Sequence, residues 1–135
     1  MTKTLVIKSF GLKHTDGPEI WAGCTIAFDL RELFKDPHVS PEMRQMTGLD
    51  QPVIDNVMAQ PGARAFASGI ADVMYDMAYE TSDSDDTIVL GFACVGGRHR
   101  SVVFANEVAR LLNRWDTDAH LEVDHVHVRR DVISR

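Results

Sequence analysis

The chain has 135 residues, of which 44% are hydrophobic and 25% charged, and it carries a formal net charge of −6 at neutral pH. That length buries a core as one domain, residues 1–135, without disulfide or metal staples, and the acidic balance argues against broad, nonspecific nucleic-acid binding, which needs a phosphate-neutralising face. No run reaches the ~20 apolar residues of a bilayer span, and the opening "MTKTLVIKSFG" lacks the apolar core and cleavage site of a secretory leader, so a cytoplasmic protein without a membrane partner is expected.

In chain order, "KTLVIKSFG" and "CTIAFDLR" are β-rich runs and predict strands over Thr4 to Phe10 and Thr25 to Leu30. Cys24 and Cys94 both lie in apolar surroundings and are expected as free thiols. "DQPVIDNVMAQ" predicts a short helix with Asp50 as N-cap and Pro52 tolerated in its first turn. From Pro61 to Tyr79, Phe66, Ile70, Val73, Met74 and Met77 recur at helical spacing as a one-sided apolar stripe. "SDSDD" reads as a solvated loop.

"TIVLGFACV" is apolar almost throughout, as in a central strand covered on both faces. Val102, Ala105, Ala109 and Leu112 then predict a helix from about Arg100 to Trp115, and "HLEVDHVHVRR" a closing strand. This order predicts an α/β sandwich with a mostly parallel central sheet and right-handed crossovers. Ligands of such sheets bind beyond the C-terminal ends of the strands, which is where "CVGGRHRS" falls.

Gly96 and Gly97 let backbone amides approach a ligand, and the next helix adds its N-terminal amides and the positive end of its dipole. Arg98, His99, Arg100 and Ser101 supply two fixed charges, a titratable donor and a hydroxyl, the groups a phosphate or sulfate needs. A Walker loop is not matched: Gly91 and Gly96 keep its glycine spacing, but Gly97 stands where lysine belongs and Arg98 where the magnesium-binding hydroxyl belongs.

Cys94, Arg100 and Ser101 do fit C-x5-R-S, the phosphate loop of cysteine-dependent phosphatases, in which a thiolate attacks phosphorus and the arginine holds the equatorial oxygens. Asp29, Asp36 and Asp50 are the candidate general acids for that alternative. The competing reading of Cys94 is a small buried hydrophobe at a strand end. His125 and His127 are placed on one face of the last strand, yet Cys24, His14 and His38 give no recognisable metal-ligand spacing around them, so no metal or cofactor is expected.

The segments "FDLRELFKDPH", "RQMTGLDQPV" and "GFACVGGRHRSVVFANEVA", in that order and spacing, resemble the C-terminal domain of the RapZ family, the ribonuclease adapter proteins of bacteria, from about Val6 to Arg130. The resemblance implies a free-standing version of that domain and a phosphosugar-sensing fold that recognises glucosamine 6-phosphate and, in enterobacterial members, binds small regulatory RNA. By position it carries the anion-holding role to Gly96, His99 and Arg100 and pocket roles to Asp29, Arg31 and His38. Arg98 stands where lysine is usual, and Val95 where threonine is frequent.

Asp29 and Arg31 lie two apart at the end of a predicted strand, so both side chains project to one face, where the arginine suits a phosphate and the aspartate suits sugar hydroxyls or an ammonium. A surface ion pair is the plain alternative. Thr47 and Gly48 read equally as a helix-stopping turn or a ligand contact. The expectation is therefore a sensing domain for a phosphorylated metabolite held at the Gly96 to Ser101 loop. Beside it stand the phosphatase alternative and an RNA or protein adapter using Arg129 and Arg130, with homo-oligomer formation left open.

Overall fold

The computed structural model describes residues 3–80, 87–114 and 120–134. Its centre is a four-stranded sheet in the order β2-β3-β1-β4, with β1 at Thr4–Gly11, β2 at Ile26–Asp29, β3 at Thr87–Cys94 and β4 at His120–His125. Each pairing is parallel, which is the α/β architecture expected. In β1 the pleat alternates: Leu5, Ile7 and Ser9 are buried, while Thr4, Val6 and Lys8 are half-buried. β3 is buried from Leu90 to Cys94 because it lies between β1 and β2.

Helices α1 (Gly17–Ala22), α2 (Gln51–Met58), α3 (Ala63–Tyr75) and α4 (Arg100–Leu112) complete the element order, with a π-helical turn at Asp76–Glu80 after α3. α4 packs on β1, β3 and α3, and buries Val102, Val103, Phe104, Val108 and Leu112. Phe104 meets Phe34 at 4.7 Å and Phe66 at 5.5 Å between ring centres, closing the core beneath the segment after β2.

The expected stripe on α3 is kept except at one position: Ile70 and Met74 are buried and Phe66 and Met77 pack partly buried against the core, whereas Val73 is 54% exposed, and Ala63, Ala67 and Ala71 complete the buried face. Small residues on that face let α3 approach α4 closely, a preference that a search for large apolar residues overlooks. Asp50 does occupy the N-cap position of α2, but its carboxylate makes no helix-cap bond and instead accepts the Thr47 amide at 2.8 Å. α1 and a 3-10 turn at Pro37–Val39 went unpredicted because neither is long enough to show a period.

The last strand is shorter than "HLEVDHVHVRR" suggests. It ends at His125, and residues 126–129 form a turn. The Gly11 amide, which would otherwise extend the ladder, donates to the His127 ring. "SDSDD" and Trp115 lie outside the described residues. Among those described, both cysteines are free, and no helix is long and apolar enough to cross a membrane.

Candidate functional site

Because the strands are parallel, Gly11, Asp29, Cys94 and His125 all end at one edge of the sheet, and the loop from Val95 to His99 leaves that edge to start α4. Gly97 takes φ +73°, and a Cβ there would lie 2.6 Å from the Gly11 amide nitrogen and 2.8 Å from the His127 Cβ. The glycine turn is thus seated against the end of β1. From the other side Gly48 closes on it: the Gly48 amide donates to the Arg98 carbonyl at 2.7 Å, and a Cβ on Gly48 would stand 2.7 Å from the His99 carbonyl oxygen. Gly48→Ala is expected to destabilise by about 1–3 kcal/mol, read from the urea midpoint. A neutral result would show that Thr47 and Gly48 are not seated on α4.

The two arginines of the loop diverge. Arg100 is 2% exposed, and its Nη1 donates to the carbonyls of Phe34 at 2.8 Å and Arg31 at 3.1 Å, while Nη2 pairs with Asp36 at 3.3 Å. Asp36 also accepts the His38 amide at 3.0 Å, so Arg100, Asp36 and His38 form one connected unit below the loop. Arg98 turns the opposite way, to the carbonyls of Arg130 at 2.6 Å, Gln45 at 2.9 Å, Val128 at 3.3 Å and Met46 at 3.5 Å. Among the described residues its partners are all main-chain carbonyls, and its Nε, like that of Arg100, is buried without a hydrogen bond.

His99 is the N-cap of α4 by position, but its side chain makes no capping bond; its Nε2 donates to the Met43 carbonyl at 3.0 Å. The first amides of α4 have no intrahelical partner and no cap from the His99 side chain. Ser101 is buried and accepts from the Cys94 thiol at 3.1 Å.

Asp29 and Arg31 form a bidentate pair, Nη2 to Oδ2 at 2.8 Å and Nε to Oδ1 at 3.0 Å, at 34% and 39% side-chain exposure. The hydrogen bonds from Arg31, against some desolvation and aided by the charges of Arg31 and Arg100, hold the Asp29 carboxyl below its ordinary range. Both residues face a cavity of about 250 Å³ that Leu12, Pro18 and Trp21 also line.

Beside the glycine turn lies a group that sequence reading did not assemble. The His127 Nδ1 accepts the Gly11 amide at 2.8 Å, so its proton sits on Nε2, which donates to Asp16 at 2.9 Å. Arg130 reaches the other Asp16 oxygen at 3.3 Å. The His14 ring packs 4.1 Å from that of His127, and its Nε2 donates to the Gly96 carbonyl at 3.0 Å. Applying the strand-end rule to β1 as well as β3 would have singled out His14, which lies three residues past Gly11.

Burial foremost, with the neighbouring His14 ring, pushes the His127 pKa below its ordinary value in spite of Asp16. Burial does the same to His125, whose ring bonds Ser9 Oγ at 2.6 Å and Asn106 Oδ1 at 2.9 Å. A histidine depressed in the folded state takes up its proton more readily when unfolded. Its contribution is therefore complete above the unfolded pKa of ~6.5 and is lost as pH falls through the lower folded value. The urea midpoint is expected to drop between neutral pH and about pH 5.5, and His127→Gln to shrink that drop; an unchanged drop in the variant would contradict this role.

A four-stranded parallel α/β domain, with a glycine turn feeding an uncapped helix at the end of its central strand, is the class that the fold and site define. A family model described as the RapZ C-terminal domain matches residues 3–129, and the chain belongs to that family. It is similar to proteins named nucleotide-binding protein. That of Corynebacterium glutamicum is 35% identical over 133 residues, covering 97% of this chain and 40% of the relative. That of Delftia acidovorans is 36% identical over 118 residues (84% and 37%), and that of Clostridium beijerinckii 31% over 130 (96% and 42%). The chain thus spans about two-fifths of the length of these curated relatives.

Proposed function

We propose that this domain binds a phosphorylated small metabolite, a hexose or aminohexose phosphate, with the anion at the N-terminus of α4 and the sugar toward Asp29 and Arg31. Two observations support this reading: the N-terminus of α4 has no side-chain cap from His99, and beside it stands Arg98, whose guanidinium bonds main-chain carbonyls and, among the described residues, no carboxylate. Carbonyls bond its Nη groups without neutralising its charge, and a dianion at the start of α4 would supply that compensation. That the matched relatives are named nucleotide-binding proteins agrees with a phosphate-bearing ligand.

Arg100 contributes its charge from below, clamped by carbonyls and Asp36. Cys94, buried and donating to Ser101, favours binding over cysteine-dependent phosphatase chemistry, which requires a thiolate presented to phosphorus. Calorimetric titration with glucose 6-phosphate and with inorganic phosphate tests the reading. Arg98→Gln is expected to weaken both by about tenfold, since the compensating charge beside the anion is lost. Equal affinities in variant and parent would refute it.

A further inference from the structure

We propose that His127 is an acid-released latch on the glycine turn: proton uptake at its Nδ1 breaks the bond to the Gly11 amide, frees the turn after β4 and weakens anion binding at the start of α4. The inference rests on the phosphate-binding reading and adds to it a control that the loop's own residues do not supply. β1 and β4 part at this point. The Val126 amide still donates to the Ser9 carbonyl at 2.9 Å, but beyond it the Gly11 amide donates to a side chain, His127 Nδ1, at 2.8 Å. An imidazole nitrogen accepts there only while it carries no proton. Protonated, it would set two N–H groups head to head, and the turn after β4 must move away from β1.

What His127 holds reaches the loop through two contacts. Gly97 is one: a Cβ on it would stand 2.8 Å from the His127 Cβ and 2.6 Å from the Gly11 nitrogen, so the glycine turn rests on both partners of the bond. Arg98 is the other. Its Nη1 donates to the carbonyls of Arg130 at 2.6 Å and Val128 at 3.3 Å, just after His127 in the chain, and the Arg130 amide closes on the His127 carbonyl at 3.0 Å. A displaced His127 therefore carries with it two of the carbonyls that fix the Arg98 guanidinium.

The titratable and charged groups that face His127 are His14 and Asp16, from the segment between β1 and α1, and Arg130, from beyond its own turn; the glycine turn meets it with Gly97, which has no side chain. The charge gained on protonation lies against Asp16, which accepts from Nε2 at 2.9 Å and offsets it, whereas the loss at Nδ1 acts directly on the backbone that seats the loop. The geometric effect therefore prevails over the imidazolium's own pull on an anion. Burial first, and then the His14 ring, make His127 harder to protonate than an ordinary histidine, so the latch is closed at neutral pH and opens as pH falls through that lowered value.

Sulfate, which stays a dianion throughout the range, is the probe. Its affinity for the parent is expected to fall about tenfold between about pH 7.5 and about pH 5, the worth of one hydrogen bond. In His127→Asn the amide oxygen replaces Nδ1 as acceptor and takes up no proton, so affinity is expected not to fall. With no anion added, the ring ¹⁵N signal of His127 Nδ1 is expected at its unprotonated position at neutral pH. The Gly11, Gly97 and Arg98 amides are expected to shift with the midpoint at which that nitrogen protonates, while Leu90 and Phe92 in β3 stay in place.

An equal fall in His127→Asn, a parent affinity that holds or rises in acid, or a ring that protonates with those three amides unmoved would each overturn the latch and leave the anion site standing. So would a β3 that shifts together with them, since the release would then be global unfolding. A parent that binds sulfate at neither pH would overturn the anion site and the coupling to it, and the ring and amide signals then decide the latch alone.

Discussion

Arg100→Ala is expected to lower the free energy of unfolding by about 3–5 kcal/mol, because it removes one partner of a buried charge pair. The guanidinium, 2% exposed, holds the carbonyls of Arg31 and Phe34 with one nitrogen and Asp36 with another. Alanine would leave Asp36, at 16% side-chain exposure, without this cation, and the turn after β2 without the donors that fold it onto α4. Arg100→Lys is expected to recover only part of the loss, since an ammonium lacks the planar fork that reaches both sets of acceptors. Urea unfolding measures both, and a loss below about 1 kcal/mol for alanine would show that water replaces the guanidinium there.

The second large effect falls on the glycine turn. Gly97→Ala is expected to destabilise by about 2–5 kcal/mol, combining strain at positive φ with overpacking. At φ +73° a side chain is disfavoured, and the added methyl would sit 2.6 Å from the Gly11 nitrogen and 2.8 Å from the Phe10 carbonyl carbon. Gly11→Ala attacks the same contact from the other strand, where its Cβ would meet the Gly96 carbonyl carbon at 2.4 Å. The double variant is expected to cost less than the sum, because either methyl alone already forces the two backbones apart. Additive losses in the urea midpoints would mean that these glycines do not share one contact.

The central strand, its glycine turn and α4 were legible because three signals coincide there: an apolar run, two glycines and a resumed helical period. The roles of the loop side chains were less so. Arg100 reads in sequence as a ligand donor, while its protein partners lie 64 to 70 residues away and leave no local trace. Asp16 and His127, 111 residues apart, are joined only by the parallel pairing of β1 with β4, which places both just past the sheet edge.

Backbone amide shifts in a ¹⁵N spectrum, recorded as inorganic phosphate is added to the unmodified protein, address the anion site most directly. The largest saturable changes are predicted at the amides from Gly96 to Ser101. Changes confined to the apolar groove of Ile26, Phe28, Phe66 and Val73, or none at all at millimolar phosphate, would contradict the placement of an anion at the start of α4.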